Sequence, residues 1–459
     1  MIRSWKNSIA PINQIPPEIL ALIPDYFDMY DYGDMHDDRD RDVIALTHVC
    51  RAWRAIFTSR PSLWTNLDCV DMDKTLVYFE RSKPLPINMS LHRDGPRFSH
   101  EPFFKIIPHA IERLKFLFVD PENLQEITPH LSRPAPLLED LIITVIVGVP
   151  CYYPAVKSTL FDGDLTSLRT LQLDCVFTEL PWRNMVNLTE LTMVNVIQPF
   201  AKRFLDFFES APNLREVELH SDSPSHGTQD EQLVSLKFLT RICIDGGRPS
   251  LLLDHLLIPV GADLDVEMDL PCPLTRSHHP PRFLDNLANL PNFTEIRLDN
   301  GFSEMSFSGP NGRVRMVPAI SLSLVDGTRS MAGLFTLLDT SKTEQLRINN
   351  YGRTPDIPPH QLLFSMKSLR TIELRNCESS YIFIHVLDPG TSSSGIIVCP
   401  KLEELIIYAG RTLYIEDVIE MVAARALGGT KLKLVRIVGQ EFGEDDVLEL
   451  KKYVSYVEC

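Results

Sequence analysis

Through most of this chain the apolar residues fall into one recurring figure, apolar-x-x-apolar-x-apolar. It reads Leu114, Leu117, Val119; Leu138, Leu141, Ile143; Leu168, Leu171, Leu173; Leu188, Leu191, Met193; Leu214, Val217, Leu219; and Leu239, Ile242, Ile244. It returns as Phe293, Ile296, Leu298; Leu369, Ile372, Leu374; Leu402, Leu405, Ile407; and Leu432, Val435, Ile437. Weaker forms are Val317, Ile320, Leu322 and Thr343, Leu346, Ile348, while Leu264, Val266, Met268 and Leu270 keep only the alternation. Apolar residues two apart with a polar one between predict one buried face of a strand. Successive clear copies stand about 20 to 33 residues apart, the period of a stacked repeat array.

Between the strands the period changes. Phe200, Phe204, Phe207, Phe208 and Ala211 align on one side of a helix, as do Ile415, Val418, Ile419, Val422, Ala423 and Ala426. Pro212, Pro291 and Pro400 stand just before strands, where proline ends a helix and turns the chain into extended structure. No such unit buries its apolar face alone. Stacking is expected to give an α/β solenoid over residues 68–459, with a parallel sheet on the concave side and helices and turns on the convex side. The Pro- and Ser-rich stretches 271–289 and 388–398 are expected to be loop excursions. Ahead of the array, Ile87, Met89 and Leu91 alternate as a strand.

Residues 10–67 follow a different pattern. Val43, Leu46, Val49, Cys50, Trp53, Ile56 and Phe57 recur at steps of three and four, predicting one amphipathic helix over Asp42 to Phe57. A short helix is expected from Ile15 to Ile23, with proline in its first turn and Pro24 ending it, and a third at Pro61 to Trp64. The charged run Asp28 to Arg41 reads as a solvated loop. Three short helices bury little surface on their own, so a partner or the rest of the chain must cover them.

The order Ile15-Pro-Pro-Glu-Ile-Leu20, then Leu46-Thr-His-Val-Cys-Arg-Ala-Trp-Arg54, then Pro61-Ser-Leu-Trp64 resembles an F-box of the fungal kind. The repeating figure is similar to the irregular leucine-rich repeats that many F-box proteins carry. The resemblance implies a non-enzymatic substrate receptor that docks on a Skp-type adaptor, and through it on a cullin, in a ubiquitin ligase. It further implies that Ile15, Pro16, Glu18, Ile19, Leu20, Ile23, Leu46, Val49, Cys50 and Trp53 form the adaptor-binding face. A protein target would then meet the residues between the repeat leucines, with Asp174, Glu190, Glu216, Glu218, Arg297, Arg347 and Arg375 as candidates. The acids come early and the arginines late, suggesting a bipolar surface. The competing reading is a plain repeat scaffold in which the helical head only caps the first repeat.

Composition narrows the function classes. A net charge of -16 opposes binding to nucleic acid or anionic membranes, which need a basic footprint. Nine dispersed cysteines and an N-terminus without a sustained apolar core predict reduced thiols in cytoplasm or nucleus. Phosphate-loop, dinucleotide, zinc-protease and Cys-x-x-Cys signatures are absent. Neither cofactor nor metal is expected. The adjacent His278 and His279 have no cysteine pair at zinc-ligand spacing.

Overall fold

The computed structural model describes residues 10–24, 36–92, 101–120, 124–145, 155–156, 160–178, 184–196, 200–220, 233–245, 249–259, 261–268, 293–299, 304–309, 312–318, 339–349, 359–376, 380–391, 397–408, 413–440 and 442–458. It is a mixed α/β protein in two compact units, Met1–Ile197 and Gln198–Cys459.

The first unit opens with a 3-10 turn, Pro11–Gln14, and helix α1, Pro17–Leu20. Pro24 is buried and lies beyond the end of α1, as its missing N–H requires. Helix α2 spans His36–Val49, so the second half of the expected loop is helical. The single helix expected over Asp42 to Phe57 is two, because Cys50 is fully extended (φ -158°, ψ 176°) before α3, Arg51–Thr58. Side chains substitute for the interrupted ladder. The buried Thr47 hydroxyl donates to the Ile44 carbonyl at 2.7 Å, and Arg54 Nε donates to the Thr47 carbonyl at 2.9 Å.

The break re-aims the apolar face. Val43 and Thr47 point inward from α2 and Trp53 and Phe57 from α3, whereas Val49 is turned out. The Trp53 ring meets Phe57 edge-on at 5.6 Å, and Trp53 Nε1 donates to Asn13 Oδ1 at 2.6 Å. A 3-10 turn, Pro61–Trp64, follows. Trp64 donates to the Phe57 carbonyl at 3.1 Å and packs at 4.9 Å on Tyr78 of α4, Met72–Arg81, while the Arg81 guanidinium stacks 4.5 Å from the Trp64 ring. The expected domain boundary at 67/68 thus cuts strand β1, Asn66–Asp68, which belongs to the first sheet.

That sheet runs β1, β2 (Ile87–Leu91), β3 (Leu114–Val119), β4 (Asp140–Thr144), β5 (Thr170–Asp174) and β6 (Glu190–Val194), all parallel. Helix α5, Glu101–Ala110, and the short α6, Leu124–Ile127, lie between its strands in the chain. Register stacks the apolar triplets: Met89 faces Leu117, then Leu141, Leu171 and Leu191.

The second unit begins with α7, Ala201–Ser210. Phe200, expected on its apolar side, instead caps it and is exposed. The sheet contains β7 (Glu216–His220), β8 (Arg241–Asp245), β9 (Asp263–Met268), β10 (Glu295–Asp299), β11 (Glu304–Gly309), β12 (Gly312–Pro318), β13 (Gln345–Asn349), β14 (Thr371–Arg375), β15 (Glu404–Tyr408), β16 (Leu434–Val438) and β17 (Tyr456–Glu458). It is parallel except at one place. β11 runs antiparallel to both β10 and β12, and β12 pairs in parallel with β9. The parallel sheet expected from the repeat is interrupted here, where β11 folds back on β12 with Gly309 facing Gly312. Between and after these strands come α8 (Ser250–Leu253), α9 (Pro359–Phe364), α10 (Ser380–Leu387), α11 (Ile415–Leu427) and α12 (Glu444–Tyr453). Helices α9 to α12 pack in succession.

All three residues of every clear triplet are buried. Two regularities accompany them that the six-residue figure does not contain. In eight of the ten clear copies the residue three before the triplet is also buried and accepts a hydrogen bond from the triplet's first N–H, as in Leu165 with Leu168, Met185 with Leu188, Met366 with Leu369 and Cys399 with Leu402. Strands β5, β6 and β14 end on a left-handed residue, Cys175, Asn195 and Asn376, and Gly439 has the same sign of φ after β16. Of the weaker copies, Val317 lies in β12, and Ile320, Leu322 and Leu270 lie outside the described residues, as do the excursion 271–289 and His278 and His279. Within 388–398, Pro389–Thr391 form a 3-10 turn.

Candidate functional site

Two surfaces gather the residues singled out from the sequence. On the head, Leu20 and Trp53 are buried, and Ile15, Ile23, Leu46 and Cys50 are half-buried. Pro16 and Glu18 are exposed, Ile19 is 54% and Val49 is 53% accessible. Ile12, Leu22 and Ile44, which the sequence pattern did not single out, are exposed as well. Position decides this division. In α1 only Leu20 turns inward, and in α2 the chain break after Val49 leaves that residue on the outer side. Trp53 is a core residue whose one polar atom is satisfied by Asn13.

The other surface is the open face of the sheet in each unit, where most alternate strand residues are half-buried or exposed and a few, such as Asp299 and Glu373, are buried. Asp174 accepts from the Thr144 hydroxyl at 3.2 Å, and Glu190 and Glu216 are exposed. Across β7 and β8, Glu218 meets Arg241 at 3.1 Å, and the His220 ring lies 3.6 Å from Asp245 and 3.8 Å from Glu218. Asp245 is held below the ordinary carboxylate range, chiefly by a hydrogen bond with Glu267 and further by His220. Between them, burial and then the negative charges of Asp265 and Glu218 push the Cys243 thiol up to about 11. The site therefore favours the neutral thiol. Among the described residues, no group of three or more His, Cys, Asp or Glu could hold a metal ion.

Farther along, Arg297 meets Asp299 at 2.7 Å, and Arg347 reaches both Glu295 at 3.2 Å and Glu373 at 3.3 Å. Arg375 also pairs with Glu373, which raises the guanidinium's pKa, and stacks 4.5 Å from the Tyr408 ring. The late arginines thus sit among carboxylates.

No protein-family model and no curated protein matches this chain. Among the described residues, no helix is long and apolar enough to cross a membrane.

Proposed function

We propose that the protein is an F-box receptor with leucine-rich repeats, whose head docks on a Skp-type adaptor and whose repeat sheet selects a protein target for ubiquitin transfer catalysed elsewhere. One observation carries the reading. The head packs through Trp53, Phe57, Leu63 and Trp64, yet leaves Ile19 and Val49 more than half accessible within the motif that resembles an F-box. Burying an isoleucine-sized side chain is worth about 1.5–3 kcal/mol, so a partner covering both gains a substantial anchor. Aliphatic residues exposed from short helices suit a helical adaptor groove, and neighbouring Pro16 and Glu18 give such a contact a polar rim. The buried triplets support the repeat reading for the body.

The test is affinity capture of the tagged full-length chain from cells. Adaptor and cullin are expected with the intact protein and absent with Pro16→Ala combined with Ile19→Asp. Undiminished adaptor capture by the double variant overturns the assignment. A head that only caps the first strands instead predicts no adaptor on the intact chain and aggregation when residues 1–64 are removed.

A further inference from the structure

The segment that bears Ile19 is held to the head at few buried points. Over residues 10–24 only Leu20 and Pro24 are buried, while Ile12, Pro16, Glu18, Ile19 and Leu22 are exposed. Helix α1 has four residues, too few to be stable by itself. It is joined to the Pro11–Gln14 turn by Ile15 and Pro16 in extended backbone (φ -66°, ψ 135° and φ -51°, ψ 140°), so no helical ladder carries the orientation of one piece to the other. Restriction at the prolines and attachment at the two ends take its place. The rings of Pro16 and Pro17 fix φ at successive positions. At the far end Leu20 and Pro24 are buried. At the near end the half-buried Asn13 donates its N–H to the Ala10 carbonyl at 2.9 Å, and its Oδ1 accepts from Trp53 Nε1 at 2.6 Å, across 40 residues of chain. Trp53 is itself set against Phe57 in α3, the helix that begins two residues after Val49.

We propose that Asn13 is a positioning residue of the head's docking face: through Trp53 it fixes the near end of this segment to α3, so that Ile19 is presented to a partner in one orientation. Satisfying a buried indole alone asks for any acceptor, water included. An acceptor on a segment this short also decides where the segment lies. Holding it before the partner arrives removes part of the ordering cost of association. The inference rests on the receptor reading for the identity of the partner, whereas the hold on the segment is measurable without one.

The experiment compares the intact full-length chain with Asn13→Ala, Trp53→Phe and the double variant, reading amide hydrogen exchange, the dissociation constant for a purified Skp-type adaptor and the midpoint of urea unfolding. In Asn13→Ala the amides of Ile19 to Leu22, which bond to carbonyls within the segment, should exchange at least about fivefold faster, with those of β3 and β4 and the unfolding midpoint unchanged. The adaptor should bind at least about fivefold more weakly, which is about 1 kcal/mol, the net worth of one hydrogen bond. Trp53→Phe keeps an aromatic ring and loses the donor. Adding Asn13→Ala to it should change exchange and affinity by less than about twofold, because the two residues act as one pair. Unchanged exchange or unchanged adaptor binding in Asn13→Ala overturns the proposal, as does a loss equally large with and without Trp53→Phe. A fall in the unfolding midpoint with exchange faster throughout the first unit marks a merely structural residue and overturns it too. An intact chain that binds no adaptor faults the docking reading instead; faster exchange in Asn13→Ala, absent on the Trp53→Phe background, then leaves Asn13's hold on the segment standing.

Discussion

Arg425 shows how a single residue can escape the pattern around it. It sits in α11 among residues whose apolar members line up, and it is wholly inaccessible. Its guanidinium donates to the carbonyls of Leu387, Val398 and Cys399 at 3.2, 2.9 and 2.8 Å. Burial lowers its pKa. Arg425→Ala should cost at least about 2 kcal/mol by leaving those buried carbonyls without donors, and Arg425→Lys should recover only part, because a point charge cannot fork to separate acceptors. The midpoint of urea unfolding checks both. Nothing in the local sequence marks this residue, since the carbonyls it serves lie 26 to 38 residues away along the chain.

The cysteines carry a pH prediction at the same scale. Burial pushes Cys399 up to about 12, from an ordinary value of 9.0, and Cys243 up to about 11. The folded state therefore prefers the neutral thiols. Their contribution is complete below about pH 9 and is lost as pH rises through 11 to 12. Unfolding midpoints measured from pH 8 upward should fall more steeply for the natural chain than for Cys243→Ala/Cys399→Ala.

At the scale of elements, strands were the most legible feature, because a two-residue period inside a longer repeat has few other solutions. Every clear triplet lies on or immediately before a strand, and α11 spans Ile415–Leu427 as its period predicts. The misses have physical causes. Periodicity through Cys50 is continuous, so the break between α2 and α3 is invisible until the side chains of Thr47 and Arg54 are seen to satisfy the local carbonyls. The β11–β12 hairpin carries no clear triplet, only Val317 of a weaker one. The left-handed residues after the strands are scattered in type, so no single residue marks the position. They do make a prediction: Asn376, with φ at 50°, should tolerate glycine within a few tenths of a kcal/mol, whereas Asn376→Val should cost about 1–2 kcal/mol in thermal or chemical unfolding.

At the scale of the whole molecule, the head's sequence motif was legible but its exposure was not. Spacing alone put Val49 and Trp53 on one face, and the chain put them on opposite sides of a break. The open face of the sheet was legible only as an alternation of polar residues. Which arginines meet which acids depends on strand register across gaps of 26 to 50 residues, beyond any local pattern. Under the proposed receptor reading, the exposed apolar side chains of the head would meet a constant partner and the repeat sheet a chosen one.

The most direct test of that account is the dissociation constant between the purified full-length chain and a purified Skp-type adaptor, compared for the natural sequence and Ile19→Asp. Because Ile19 is 54% accessible, the substitution should leave the unfolding midpoint unchanged while weakening binding by about 2 kcal/mol or more, roughly thirtyfold. An intact chain that does not bind the adaptor, or an Ile19→Asp variant that binds it equally well, contradicts the account.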